Sequence, residues 1–271
     1  MMMGIYGIAF ELAAKLGMPT WYSPQIDADR VLGLGHVPSI WLQQELGAAH
    51  NQTLAVAAAV AYASHYYFPV LLGLYLWWYH RETAFFSLMY GLLTALFLAT
   101  IVYVLAPTAP PWLAAERGML PPIHDVVKMG LLDLRLDALA DHKGDPNLYL
   151  TRAAFPSVHA AWPVVSLLVV MHYRVSVWAR VATLAQLAIV WFAIVYAGEH
   201  YAIDVVAGTA FGAVAFVLVE RFHGRLTAAA LGRPAEPVAV TDEVVVVRQV
   251  LAPEQAPSAV GQAPGDGTTR R

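Results

Sequence analysis

The sequence predicts an all-α protein: a polytopic membrane helical bundle of five to six transmembrane helices, followed by a disordered C-terminal tail. Of the 271 residues, 59% are apolar and 13% are charged, about half the charged share of ~25% that is usual in globular domains. Several uncharged stretches are also long enough to cross a bilayer core of ~30 Å, which takes about 20 helical residues. The remainder of the chain, residues 234–271, changes to a composition rich in Pro, Ala, Val, Gln and Gly.

Composition also excludes several function classes. The chain has 0 cysteines, so a disulfide framework, a zinc–thiolate site and a cysteine nucleophile are excluded. The formal net charge is −3, and no basic face is visible that would favour a nucleic-acid partner.

The segment 1–53 is predicted to associate with the membrane as interfacial helices. Residues 1–17 carry Glu11 and Lys15 and lack a basic n-region, so a signal peptide is not expected. Residues 31–44 are uncharged but short, and Pro38 interrupts them. A sixth transmembrane helix in this segment is the alternative prediction.

Residues 54–222 are predicted to form the transmembrane catalytic domain. Its five spans are inferred from stretches between charged residues, and Asp204 is the one charge inside them. The predicted spans are residues 54–79, 84–106, 153–173, 181–198 and 201–219. Residues 234–271 lack a helical apolar face, and they are expected to form a disordered cytoplasmic tail.

The orientation follows from basic residues in short loops, which favour the cytoplasmic side. In a five-span count these residues fall on one side of the membrane; they are Arg81, Arg174, Arg180, Arg221, Arg225 and Arg233. The long loop 107–152 then faces outward. We therefore expect a multi-pass protein of the cell membrane whose polar site faces the extracytoplasmic side.

Two polar clusters open the third and fifth spans, at the membrane edge. His159 and His200 are 41 residues apart, which is about 60 Å of helix, or two bilayer crossings. Both histidines should therefore arrive at the same face. Ser157 follows a proline and is a good helix N-cap, so the amides at the start of the third span should favour an anion.

His200 and Asp204 lie four residues apart, which places them on one face of a helix. Asp204 can then accept the Nδ1–H of the His200 imidazole and leave Nε2 free as a nucleophile or base. The alternative interpretations are a solvated interfacial His159 and a purely structural His200–Asp204 hydrogen bond. The remaining histidines lack such partners in the sequence and are left unassigned: His36, His50, His65, His80, His124, His142, His172 and His223.

At these residues the sequence resembles the type 2 phosphatidic acid phosphatase superfamily, whose members carry Pro-Ser-x-His and His-x-x-x-Asp motifs at the ends of membrane helices. Here the motifs are Pro156-Ser157-Val158-His159 and His200-Tyr201-Ala202-Ile203-Asp204. The closer resemblance is to the inositol phosphorylceramide synthase branch. The residues that carry it are Phe155, Tyr201, Gly208 and the proline-rich stretch 107–112.

The resemblance implies phosphoryl transfer through a phosphohistidine, with no cofactor and no metal. His200, held by Asp204, would be the nucleophile, and His159 the acid and base. The substrate would be a lipid phosphate within the membrane lipids. A hydroxyl such as inositol would be the acceptor in a transferase, and water in a lipid phosphate or polyprenyl diphosphate phosphatase. A proton-coupled transporter is the alternative from another class.

The phosphate-binding residues predicted are Ser157 and Arg152, with Arg117 as another cation. The wider superfamily has an earlier motif of Lys, six residues and Arg-Pro. Lys128 and Arg135 have this spacing, but Leu136 replaces the proline, so this match is taken as chance. Gly208 and Gly212 form a G-x-x-x-G motif, which predicts either close packing within the bundle or a homodimer.

Overall fold

The computed structural model describes residue 12, residues 15–143 and residues 152–230, with side chains described for residues 12, 15–140 and 152–222. The predicted tail 234–271 and most of residues 1–17 lie outside the described residues. The described part is helical, and its only extended pairings are isolated bridges that join Thr108 to Trp21 and to Ala153. This confirms the all-α prediction.

Ten helices, α1 to α10, run through the described part of the chain. In order they are Ser23–Leu32, Pro38–Glu45, Gln52–Trp78, Glu82–Leu105, Pro111–Glu116, Val126–Asp133, Asp137–Lys143, Val158–His172, Val177–Tyr196 and Ala202–Ala230.

Four of these helices, α3, α4, α9 and α10, are long and apolar enough to cross a membrane. The chain is therefore a multi-pass membrane protein. The predicted third span is the shorter helix α8, which begins at Val158 and has 15 residues. The uncharged stretch began at residue 153, but Ala153 pairs with Thr108 in an extended bridge. The helix starts after Pro156, where the N-cap prediction at Ser157 placed it.

The core of the bundle is built by α10, which packs against α8 and α4. Close approach needs glycine here. A Cβ on Gly208 would lie 2.2 Å from the carbonyl oxygen of Ser157, and one on Gly212 would lie 2.6 Å from that of Ala161. Both glycines of the G-x-x-x-G motif thus serve packing inside the chain, as the first of the two interpretations predicts.

Short helices cover the end of the bundle where α8 and α10 begin. The Gln43 side chain of α2 donates to the backbone carbonyls of His124 and Tyr196 and accepts the His124 N–H. The glycine of α6, Gly130, lies against α3, where an added Cβ would be 2.3 Å from the Ala55 carbonyl oxygen. The loop 107–152 is therefore largely folded onto the bundle in its described residues, and Thr108 and Trp112 of this loop form backbone hydrogen bonds with segments of the two predicted clusters or next to them.

Candidate functional site

The segment before α8 is fixed by one buried threonine. The N–H of Thr108 donates to the Arg152 carbonyl over 3.0 Å, and its own carbonyl accepts the Ala154 N–H over 3.1 Å. The Thr108 hydroxyl oxygen accepts the Phe155 N–H over 2.8 Å. These bonds orient the carbonyl of Ala154 and deliver the chain to the start of α8.

Ser157 is the N-cap of α8, as predicted. Its buried side chain accepts the Ala160 N–H over 3.2 Å. Its own N–H donates to the Asp204 carbonyl over 3.1 Å, which ties the start of α8 to the first turn of α10. Helix geometry leaves the Val158 and His159 amides without intrahelical acceptors, so this helix start can stabilise negative charge.

His200 precedes α10 rather than lying within it. Its Nδ1 is 2.9 Å from the Ala154 carbonyl oxygen and 3.5 Å from Oδ2 of Asp204. Both neighbours are acceptors only, so Nδ1 carries a proton and donates chiefly to Ala154. The sequence predicted Asp204 in that place; the backbone carbonyl is closer because α10 starts at Ala202, and His200 therefore sits in the preceding turn.

The two predicted histidines meet directly. Nε2 of His200 lies 2.9 Å from Nδ1 of His159, and the ring centroids are 5.0 Å apart. With Nδ1 of His200 protonated, its Nε2 accepts from the Nδ1–H of a neutral His159. Nε2 of His159 is then unprotonated, and it is buried without a hydrogen-bond partner among the described residues. The pair can therefore move protons over short distances.

One carboxylate oxygen of Asp204 accepts a structural hydrogen bond, and the other is still able to accept one. Oδ2 accepts the Tyr201 N–H over 2.9 Å, which is the reach-back half of a capping box at the start of α10. Oδ1 is buried and has no hydrogen-bond partner among the described residues. This fully buried carboxylate can stabilise positive charge on the neighbouring imidazole of His200.

A second carboxylate, which the sequence did not single out, caps the same helix. Asp29 of α1 is fully buried; its oxygens accept the N–H groups of Ala202 and Ile203 over 3.1 and 2.9 Å. Burial raises the pKa of Asp29 to about 6, while the two backbone bonds lower it and the charge of Asp204 raises it. Asp29 therefore holds the turn that carries His200.

His65 of α3 is a third histidine at this site, although the sequence left it unassigned. Its ring centroid is 4.0 Å from that of His159, and the ring of Tyr62 stacks on His159 at 4.9 Å. Nδ1 of His65 lies 2.6 Å from the Tyr62 carbonyl oxygen, so it donates there. A buried histidine inside an uncharged span was the available signal.

The cations predicted to bind phosphate are more exposed than the buried histidine pair. The side chain of Arg152 is exposed, and so are those of Arg117 and Arg135. Lys128 is half-buried on α6, the short helix that packs against α3. Which of them contacts phosphate stays a prediction.

Among the described residues, no group of three or more His, Asp or Glu side chains has the arrangement of a metal site. The residues that do converge offer a buried imidazole pair, a buried carboxylate and a helix N-terminus. Groups of these types can act as a nucleophile, as a proton carrier and as donors that stabilise a developing anion.

Comparisons with known proteins agree with the motifs. The sequence model of the PAP2 superfamily matches residues 26–218, which confirms the family predicted from the two histidine motifs. The chain is similar to the phosphoinositol dihydroceramide synthase of Bacteroides thetaiotaomicron, with 28% identity over 174 residues, covering 60% of this chain and 55% of that protein. The chain thus spans about half the length of this curated relative. No solved structure matches.

Proposed function

The chain belongs to the PAP2 superfamily, and from this premise we propose that it is a membrane phosphotransferase. It would act on a lipid phosphate through a phosphohistidine and transfer the phosphoryl group to a hydroxyl acceptor such as inositol. The observation that carries this proposal is the 2.9 Å contact between His159 and His200. This contact is supported by the buried carboxylate of Asp204.

The similar protein supports transfer over hydrolysis. Its name describes a synthase of a phosphoinositol dihydroceramide, so its product is a phosphate ester rather than free phosphate. A hydroxyl acceptor is thus our first choice for this chain, and water is the second.

In the first step, Nε2 of His200 attacks phosphorus, a P–N bond forms and the P–O bond to the leaving group breaks. His159 enters this step as the imidazolium, gives one proton to the leaving oxygen and becomes neutral. In the second step the acceptor hydroxyl gives its proton to His159 and attacks phosphorus, and the P–N bond breaks. Such proton transfer is typically worth about 10²–10⁴-fold in rate.

Substrate must first separate the two rings. The 2.9 Å between Nε2 of His200 and Nδ1 of His159 leaves no room for a phosphoryl group. His200 is held at Nδ1 by Ala154, whereas Nε2 of His159 has no hydrogen-bond partner among the described residues, so no hydrogen bond at that atom resists rotation of the ring. We therefore assign the movement to the His159 imidazole.

Negative charge on the transferring group would be held by the amides of Val158 and His159 and by a cation. Ser157 fixes the start of α8, and we propose Arg152 as the cation because it lies on the segment that leads there. Arg152→Gln, compared with Arg117→Gln, tests this assignment. The proposal requires the larger loss of turnover in the first variant.

The decisive experiment is turnover by purified protein in EDTA with short-chain phosphatidic acid. Free phosphate and phosphorylated acceptor would be measured with and without inositol, and in parallel with and without dihydroceramide. Acceptor-dependent product supports the transferase, whereas phosphate release that no acceptor changes would establish the phosphatase. Loss of turnover in EDTA that added metal restores would contradict the metal-independent route.

The nucleophile is tested by His200→Ala and by acid-labile labelling. We expect His200→Ala to lose turnover and labelling together. Full turnover in this variant, or labelled phosphate on His159, would contradict the assignment.

A further inference from the structure

We propose that the groove between α3 and the α6–α7 segment holds a hydrocarbon chain of the lipid substrate. This inference rests on the proposed function, because the headgroup of that lipid is placed at the histidine pair. The groove has a volume of about 410 Å³. On α3 it follows Ala59, Ala63, Tyr67 and Leu71, and Leu134 and Leu136 form the opposite wall.

The lining suits a hydrocarbon chain rather than a polar ligand. Alanine and leucine dominate it, and the Ser64 hydroxyl within it donates to the Ala61 carbonyl over 2.6 Å. That bond leaves the hydroxyl proton unavailable to a ligand. An acyl chain would bind here because it leaves the surrounding lipid or detergent and packs closely against these apolar side chains.

The length of the groove matches one leaflet. From Ala59 to Leu71 it follows α3 for about 18 Å at 1.5 Å per residue, and half of a ~30 Å bilayer core is about 15 Å. Since α3 is long and apolar enough to span a membrane, this face of the helix lies at hydrocarbon depth.

The groove begins at the level of the site. Tyr62 and His65, whose rings contact His159, occupy the same turns of α3 as Ala59 and Ala63. A phosphate bound at the histidine pair would therefore lie level with the end of the groove at Ala59 and Ala63. Helix α3 is the wall that the site and the groove share, so the hydrocarbon chains of the lipid would begin beside this end.

The opposite wall of the groove, formed by the α6–α7 segment, also suits contact with the membrane. Leu134, Leu136 and Leu139 are 40%, 42% and 56% exposed, and charged residues alternate with leucines from residue 132 to 137. Such an amphipathic segment favours the membrane interface. Leucines presented to water in this number would be unfavourable, whereas beside α3 they complete a channel for an acyl chain.

The test uses a phosphatidic acid with a diazirine at the end of one long acyl chain, added to the full-length protein in detergent–lipid micelles. Photolabelled peptides are mapped by mass spectrometry. We expect labelling concentrated on α3 and the α6–α7 segment, with competition by dioleoyl but not by dihexanoyl phosphatidic acid. Labelling spread evenly over all lipid-facing helices indicates bulk lipid and overturns the proposal.

Ala63→Trp fills the groove, and Leu134→Trp narrows it from the other wall in case the first variant does not fold. Val70→Trp is the matched control, because Val70 is exposed on α3 but does not line the groove. We expect kcat/KM for dioleoyl phosphatidic acid to fall about tenfold in the groove variants, the equivalent of about two methylenes no longer buried. Turnover of dihexanoyl phosphatidic acid should be retained.

Equal loss on both substrates, or no loss on either, overturns the groove assignment. If the wild-type protein turns over neither substrate, the proposed function fails instead. The photolabelling pattern and its loss in Ala63→Trp then still decide whether the groove binds an acyl chain.

Discussion

The apolar part of α10 that is long enough to span a membrane, Ala202–Phe222, carries a carboxylate near each end, and each lies beside a histidine. Asp204 is 3.5 Å from His200, and Glu220 is 3.5 Å from His172. The residue types and the distance are the same, but the surroundings differ. Glu220 accepts from the hydroxyl groups of Ser87 and Tyr173 on its two oxygens and keeps 17% of its side chain exposed.

At the other end, Asp204 is fully buried, and its Oδ1 has no hydrogen-bond partner among the described residues. The neighbouring His200 is in turn hydrogen-bonded to the imidazole of His159. A histidine–carboxylate pair stabilises the fold when both carboxylate oxygens already accept from protein hydroxyl groups. A buried pair whose carboxylate can still accept a hydrogen bond is available for chemistry. The comparison makes His200–Asp204 the better candidate of the two pairs for a chemical role.

The largest expected difference between the two ends is in turnover. Asp204→Asn removes the charge that stabilises a cationic His200, and we expect turnover to fall by about 10²–10⁴-fold. Glu220→Gln is the matched control on the same helix and should retain turnover. Equal activities of the two variants in the lipid-phosphate assay would contradict a catalytic role for Asp204.

The second difference concerns packing. Gly208→Ala places a methyl group 2.2 Å from the Ser157 carbonyl oxygen, so we expect the free energy of unfolding to fall by about 1–3 kcal/mol. At the far end, the nearest atom to the new methyl group of Gly73→Ala would be the flexible terminal methyl of Met89 at 3.3 Å, and the Phe85 ring would lie at an ordinary contact distance of 3.6 Å. Thermal unfolding in detergent would measure both; similar losses would contradict backbone contact as the cause.

The third difference is a dependence on pH. Burial raises the pKa of Asp29 from 3.8 to about 6, so the folded protein binds this proton more tightly than the unfolded chain. The stability contributed by Asp29 therefore falls as pH rises from about 4 to 6, by at most about 3 kcal/mol, and stays level above that range.

Asp29→Asn should remove this part of the pH slope. Unfolding of both proteins at pH 4 and pH 7 measures the change in their stability difference. Asp27→Asn controls for the loss of one negative charge on the same helix, since the Asp27 side chain is 70% exposed. Parallel pH profiles of the wild type and Asp29→Asn would contradict the role given to burial.

The smallest expected effect comes from His65. His65→Phe keeps an aromatic ring against His159 but removes the hydrogen bond to the Tyr62 carbonyl, and we expect turnover to fall about 3- to 10-fold, the worth of one hydrogen bond. His172→Phe makes the same substitution outside the site and should not change turnover. A His65→Phe enzyme as active as the wild type would show that the third imidazole only fills space.

Local signals predicted much of this architecture. Uncharged stretches predicted the long helices, Ser157 predicted the start of α8, and the spacing of His159 and His200 predicted that they share one face. These features depend on periodicity, capping and helix length, which are properties of short segments. The catalytic roles of His159, His200, Asp204, Ser157 and Arg152 stay predictions.

The missed features depend on contacts between distant segments. Asp29 caps a helix that begins at Ala202, and His65 meets His159 only after α3 packs beside α8. Neither partner is near in sequence, so no local pattern indicates the contact. The bridge from Ala153 to Thr108 is likewise set by tertiary structure, and the uncharged stretch from residue 153 did not indicate it.

Thr108 carries a consequence for biosynthesis. It pairs both with Trp21, which emerges early from the ribosome, and with Ala153. The carbonyl of the neighbouring Ala154 then accepts the hydrogen bond from His200. Contacts of such long sequence separation form late, because loop closure must precede them. The contact between His159 and His200 that the proposed mechanism uses is thus expected to form only after the start of α10 has been synthesised and packed against α8.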